Sequence, residues 1–181
     1  SLPVAGTTAS DLPHPLELQP GETVIALGAG GGAGHLACEI GRARGWRVMG
    51  VASDSKQQIV ESTGAQWVAA GAGVVAAVRQ LAPDGVHLLL DLVGGQALRE
   101  VAELAVAPDR VISVADADTV AELGGSVRTN SPNALERITA MVASGAVAPL
   151  VSHAFPLEQA RGALSLVESG HAEGKTVILP G

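Results

Sequence analysis

The residues best placed to do chemistry form a glycine cluster, Ala29-Gly30-Gly31-Gly32-Ala33-Gly34, with four glycines in six positions. Val24, Ile25, Ala26 and Leu27 precede it as an apolar run that reads as a strand buried on both faces. Leu36, Ala37 and Ile40 follow it at helix spacing. A tight turn from a parallel strand into a helix offers free backbone N–H groups and the positive end of the helix dipole, and together these hold a pyrophosphate. Glycine is required wherever a Cβ would block the turn, the phosphate or the helix–strand contact. Two registers fit the dinucleotide fingerprint. Gly28, Gly30 and Ala33 match G-x-G-x-x-A, while Ala29, Gly31 and Gly34 match it with alanine first. Flanked by a strand and a helix, the cluster reads as a dinucleotide site.

The next informative residues lie at the end of the second strand. Dinucleotide folds that select NAD place an acid there, on the ribose hydroxyls. Here that position falls at Ala52 or Ser53, neither of them acidic. Ser53 can donate a hydrogen bond and Lys56 can supply charge to a 2′-phosphate. Asp54 works against this reading, because it could act as the NAD-type acid one step late; its plainer role is the N-cap of a solvated helix. NADP is therefore preferred over NAD.

Other reactive side chains carry less. Asp91, in an apolar strand, reads either as a residue that orders a loop beside the cofactor or as a hydrogen-bonded strand-end carboxylate. His87 reads as a packed histidine and Cys38 as a small buried hydrophobe. His14, His35, His153 and His171 have no metal-ligand spacing. Gly174-Lys175-Thr176 imitates the end of a P-loop, but Ser169 stands where the first glycine belongs, and a helix precedes where a strand should. No G-x-S-x-G occurs, which argues against a hydrolase elbow.

The elements that must position these residues alternate. Strands are expected at 23–27, 46–52, 66–69, 86–93 and 110–114, with a sixth at 126–129. Helices are expected after the glycine turn and at 55–63, 74–81, 96–105, 133–144 and 156–170, with a terminal strand at 175–179. This order implies an α/β fold, a Rossmann-type doubly wound parallel sheet of about six strands with helices on both faces. Ligands then bind at the carboxyl ends of the strands, where strand order reverses. Val93 and Val114, closing the fourth and fifth strands, join the expected cofactor-binding set.

Composition agrees. The chain has 181 residues, 47% of them hydrophobic but only 2% aromatic, so its core must be built from Val, Leu, Ile and Ala. A net charge of −7 argues against nucleic-acid or anionic-membrane partners. One cysteine allows neither an internal disulfide nor a cysteine-based zinc site. With no apolar run long enough to span a bilayer and no signal peptide, a cytoplasmic home is the expectation.

Taken in order, GETVIALGAGGGAGHLA, GVASDSKQQIVESTGAQWV, GVHLLLDLVGG, PDRVISV and FPLEQARGALSLVESGHAEGKTVILP resemble the medium-chain dehydrogenase/reductase superfamily, and within it the zinc-free, NADPH-dependent quinone oxidoreductase branch. The resemblance covers nearly the whole chain and favours the alanine-first register, with Ala33 where the family has valine. It implies an N-terminal GroES-like domain that this chain lacks. Residues 1–20 then resemble the lead-in from that domain, 21–148 the NADP-binding Rossmann domain, and 149–181 a segment that returns to the catalytic domain. Whether a fragment or a stand-alone protein, the chain reads as a cofactor half with an orphaned piece of the catalytic half.

The resemblance further implies NADPH as cofactor, with NADH second, held by Gly31, Gly32, Ala33, Gly34, Ser53, Lys56, Val93 and Val114, Lys56 serving the 2′-phosphate. It implies hydride transfer to a small-molecule acceptor such as a quinone or enone, no metal, and pairing of two copies through the 126–129 edge. No catalytic acid can be named on this chain. A non-catalytic dinucleotide-binding or interaction module, or an enoyl-reductase domain of a multidomain synthase, are the other readings.

Overall fold

The computed structural model describes residues 2–13, 16–169 and 172–180. His14 and His171, weighed above as metal ligands, lie outside the described residues, as does Gly170, the expected end of the tail helix.

Six parallel strands form one sheet: β1 (Thr23–Leu27), β2 (Arg47–Ala52), β3 (Gln66–Ala69), β4 (Leu88–Asp91), β5 (Val111–Ser113) and β6 (Ser126–Val127). Their order is β3-β2-β1-β4-β5-β6. From β1 the chain winds outward to β3, then returns to the other side of β1 and winds outward again. The reversal lies between β1 and β4, where Val24–Leu27 pair with Leu88–Asp91. All five residues of β1 are buried, as a central strand covered on both faces requires.

Alternating side chains feed two cores. On one face Val24, Ala26, Leu88, Leu90 and Ile112 pack with α1 (Thr7–Asp11), α2 (Gly32–Ala43), α3 (Gln57–Ser62) and α7 (Ala134–Ala143), through Leu36, Ile40, Val60 and Ile138. On the other, Ile25, Leu27, Val51, Leu89 and Val111 meet α4 (Val74–Leu81), α5 (Gly95–Ala102) and α6 (Ala117–Glu122), through Val78, Leu98, Val101 and Val120. Each large aliphatic buried this way contributes about 1.5–3 kcal/mol. The tail forms a second, two-stranded parallel sheet of β7 (Val151–Pro156) and β8 (Lys175–Leu179), joined through α8 (Ala160–Glu168).

Some sequence expectations need correction. The fourth strand is Leu88–Asp91 rather than 86–93, because Val86 makes only an isolated bridge to Ala105 and Gly94, at φ +77°, turns the chain. The sixth strand is two exposed residues. Helix α6, which the sequence reading omitted, is N-capped by Asp116, whose Oδ1 accepts from the Thr119 amide at 2.9 Å. Strand β7 and helix α1 were also not anticipated; α1 is tied in through buried Ala9 and Leu12. No helix among the described residues is long and apolar enough to cross a membrane.

Candidate functional site

The glycine turn sits at the carboxyl end of β1. Gly28, at φ +89°, makes the bend, a conformation that a Cβ would strain. The amides of Gly28 and Ala29 donate to the Val51 carbonyl at 3.0 and 3.1 Å, tying the turn to β2. Gly31 then occupies the N-cap of α2 with extended backbone and no side-chain cap. The first-turn amides of α2 thus lack the side-chain acceptor that usually satisfies such groups.

The geometry distinguishes the two registers. A Cβ on Gly34 would collide with the Gly28 carbonyl oxygen and come 2.7 Å from Ala29 Cα, so Gly34 is where helix and turn touch. A Cβ on Gly31 would meet nothing nearer than the Gly28 oxygen at 3.5 Å. The helix-contact glycine at Gly34 and the open glycine at Gly31 match the alanine-first register. Gly30 and Gly32 have a different reason to be glycine. Their missing Cβ positions are filled by lysines, Lys56 Cβ at 2.8 Å over Gly30 and Lys175 Cδ at 2.8 Å over Gly32.

Two clefts meet at this turn. One, of about 170 Å³, is lined by residues that include Gly28, Gly31, Ser53, Lys56 and Val93. The other, of about 380 Å³, lies between the turn and the tail and includes Gly31, Gly32, Lys56, Lys175 and Thr176. Of the expected residues, Gly31, Ser53, Lys56 and Val93 are brought together in the first and Gly32 in the second. Ala33, Gly34 and Val114 line neither; Val114 is exposed just beyond β5, and Gly34 is buried.

The tail reaches the turn directly. Gly31 and Gly174 form a parallel bridge, and the Lys56 ammonium donates to the Ala172 carbonyl at 3.1 Å. Lys175, rejected above with its P-loop imitation, is the residue that sequence reasoning missed. Its ammonium has no hydrogen-bond or ion-pair partner among the described residues, and burial lowers its pKa below the usual 10.5. The signal that could have found it is the run of small residues opposite, since Gly32 leaves the space that the lysine fills.

The remaining candidates lie elsewhere. Ser53, not Asp54, takes the N-cap position of the short turn Asp54–Lys56, and Asp54 is exposed within it. Asp91 is fully buried and hydrogen-bonded at the end of β4. His87 Nδ1 accepts from the Thr23 amide at 3.1 Å, at the opposite end of the sheet. His35 is buried beside Glu39, with Nε2 3.8 Å from Oε1. Cys38 is buried in the core, and burial pushes its thiol up to about 12, which leaves it unreactive. Neither cleft is lined by a described histidine, aspartate or glutamate.

Comparison with known proteins gives a consistent picture. Residues 55–178 match the zinc-binding dehydrogenase family. The quinone oxidoreductase of Rattus norvegicus is 27% identical across 96% of the chain, which spans 59% of that protein. The NAD-dependent alcohol dehydrogenase of Saccharolobus solfataricus is 28% identical across 99% of the chain and 56% of that protein. The crystal structure of Escherichia coli quinone oxidoreductase complexed with NADPH superimposes with a TM-score of 0.82, at 20% identity, over 98% of this chain and 63% of that one. The chain thus spans a little over half the length of these two relatives. The family's metal finds no donor set here: among the described residues no three His, Cys, Asp or Glu side chains gather to hold one.

Proposed function

Because the chain belongs to the zinc-binding dehydrogenase family, on the quinone oxidoreductase-like side of the medium-chain dehydrogenase/reductase superfamily, we propose that it binds NADPH and serves as the cofactor-binding part of an oxidoreductase acting on an electron-poor acceptor such as a quinone or enone. The observation that carries this reading is the pair of lysines over the glycine turn. Lys56 and Lys175 lie against neighbouring glycines beside an uncapped helix N-terminus, which is a cradle for phosphates.

The residues divide the ligand between them. Gly31 and the first turn of α2, with Ala33 and Gly34 behind it, would take the pyrophosphate, and Lys175 would add charge from the tail. Ser53 and Lys56, at the end of β2, would take the adenosine ribose and its 2′-phosphate; β2 ends on Ala52 and is followed by Ser53, neither of them acidic, and the adjoining Asp54 is exposed in the turn that follows. Val93, which lines the first cleft with Ser53 and Lys56, and Val114, exposed beyond β5, would add apolar contacts to the cofactor. When bound, the cofactor supplies a hydride, while the protein supplies position and electrostatics. With no described acid or base in either cleft, protonation of the reduced acceptor falls to solvent or to a group outside this chain. No step is assigned to a metal.

The test is calorimetric titration of the chain with NADPH and NADH. Tighter binding of NADPH supports the reading; tighter binding of NADH reassigns the cofactor to NAD. The exposed edge strand β6, with Val127 half exposed, is the proposed pairing edge for a second copy. Light scattering reads it, and a monomer at all concentrations rejects it.

A further inference from the structure

Helix α2 holds the tail at a second place besides its N-terminus. Glu39 stands about two turns beyond Gly32 on that helix. It is buried, and its Oε2 accepts from the Ala148 amide at 2.7 Å. His35, one turn earlier, is buried beside it, but its Nε2 lies 3.8 Å from Oε1, beyond hydrogen-bond reach. Ala148 belongs to the junction between α7 and β7. A little further along that junction, the Leu150 carbonyl accepts from the Lys175 amide at 2.8 Å. Lys175 in turn lays its side chain over Gly32. The chain of contacts therefore leaves α2 at Glu39, crosses the junction to β8, and returns to α2 at the glycine turn.

The tail depends on such ties. Among the described residues β7 pairs with β8 and with no strand of the six-stranded sheet. Apart from the single Gly31–Gly174 bridge, no ladder fixes where Lys175 falls relative to the turn. Burying a carboxylate is unfavourable unless a hydrogen-bond partner compensates it, and the partner of Glu39 is the backbone of the junction. Arg42, on the same helix, donates to the Ala146 carbonyl at 3.3 Å, so the junction stays on α2 when Glu39 is replaced. What Glu39 adds is the placement of the chain that runs on to Leu150. We propose that Glu39 is a positioning residue for the cofactor: by fixing Ala148 it sets Leu150, and through Leu150 it places the Lys175 ammonium against the phosphates that Gly31 and the first turn of α2 receive. The proposal rests on the cofactor reading above. Glu39 itself lines neither cleft, so it acts only through the tail.

NADPH affinity of the full chain, followed against pH by titration calorimetry, tests this. Lys56 and Lys175 are the titratable side chains that line the second cleft. Burial lowers the pKa of Lys175, and Lys175→Met isolates its share of the alkaline fall in affinity. Glu39→Ala, with no acceptor for the Ala148 amide, should lose about tenfold or more at neutral pH, as Lys175→Met does, and should lose the same share of the alkaline fall. Glu39→Gln keeps an oxygen for that amide, so it should hold affinity within about twofold and keep the alkaline fall. The double variant should bind no more weakly than Lys175→Met alone. If Glu39→Ala does not fold, Glu39→Leu fills the buried space without an acceptor and makes the same measurement. An alkaline fall retained in Glu39→Ala, additive losses in the double variant, or a Glu39→Gln as weak as Glu39→Ala overturns the proposal and leaves the cofactor reading in place. A Lys175→Met that binds like the parent removes Lys175 from the phosphates and overturns the proposal with it. A parent chain that does not bind NADPH overturns the cofactor reading and the proposal together.

Discussion

Two glycines three residues apart in the same turn are expected to fail in opposite ways. At Gly34, the methyl of an alanine would press on the Gly28 carbonyl and sit 2.7 Å from Ala29 Cα. Both neighbours are backbone, so α2 itself must move. Overpacking of this kind costs about 1–3 kcal/mol, and in a chain of this size each kcal/mol lowers the melting temperature by about 2–4 °C. Gly34→Ala should therefore melt roughly 2–12 °C lower. At Gly31 the nearest atom to an added Cβ is 3.5 Å away, and the backbone, at φ −86° and ψ 167°, suits any residue. The entropy gained by removing a glycine, about 0.4–1 kcal/mol, offsets the weaker N-cap. Gly31→Ala should melt within about 2 °C of the parent. The larger Gly31→Val blocks the phosphate's approach and should cost at least about tenfold in NADPH affinity. Differential scanning calorimetry and titration calorimetry read the two effects separately. If Gly34→Ala melts like the parent, or Gly31→Val binds NADPH unchanged, the assignment of contact and approach glycines is wrong.

Lys56→Ala should weaken NADPH far more than NADH, by about 1.5–3 kcal/mol if its contact to the 2′-phosphate is charge-assisted; equal losses in parallel titrations would remove Lys56 from that role. Burial lowers the Lys175 pKa below 10.5, so its ammonium is lost earlier than that of a free lysine. NADPH affinity should then fall as pH rises through that lowered value, and the alkaline fall should flatten in Lys175→Met. The same shift makes the folded chain bind fewer protons than the unfolded one just below 10.5, so this group's contribution to stability rises with pH in that window and adds nothing further above it. Asp116 is held below 3.8, first by the Thr119 amide and then by that of Gly95. Its cap of α6 is present in full above 3.8 and lost as pH falls through the depressed value, so Asp116→Ala should blunt the acid limb of an unfolding curve. The chain alone should show little or no turnover of quinones, since hydride transfer needs an enclosed acceptor held at near-attack distance; robust turnover would show that the clefts described are a complete active site.

How much of this was legible in the sequence follows from where each signal resides. β1, β2 and β4 are covered on both faces, so burial wrote them as continuous apolar runs that no other pattern competes with. β6 is two exposed residues, and nothing local marks it; only the count of preceding units suggests a further strand. Helix α6 did carry a signal, Asp116 ahead of Thr119 with Gly124 and Gly125 beyond, but it spans only six residues, too few for a periodic stripe. β7 ends in Pro156 and is mostly exposed or half-buried, which masks its alternation. Asp91 accepts from the Ser113 hydroxyl 22 positions away, so no short window on the sequence contains the pair.

The tail shows the same limit from the other side. The family resemblance assigns residues beyond 148 to a separate unit, and as a sheet they are one: among the described residues β7 pairs only with β8. Yet the loop entering β8 bridges Gly31, accepts from Lys56 and places Lys175 over Gly32. A sheet boundary is set by which backbones pair, whereas a phosphate cradle is set by which amides and cations converge, and the two need not coincide. Gly32 makes the point at a single residue. Read along the chain it belongs to the helix N-terminus; read in space it is the gap into which the tail's lysine fits. The glycine cluster is therefore denser than a turn alone requires, because Gly28, Gly31 and Gly34 serve the turn and helix while Gly30 and Gly32 admit the two lysines.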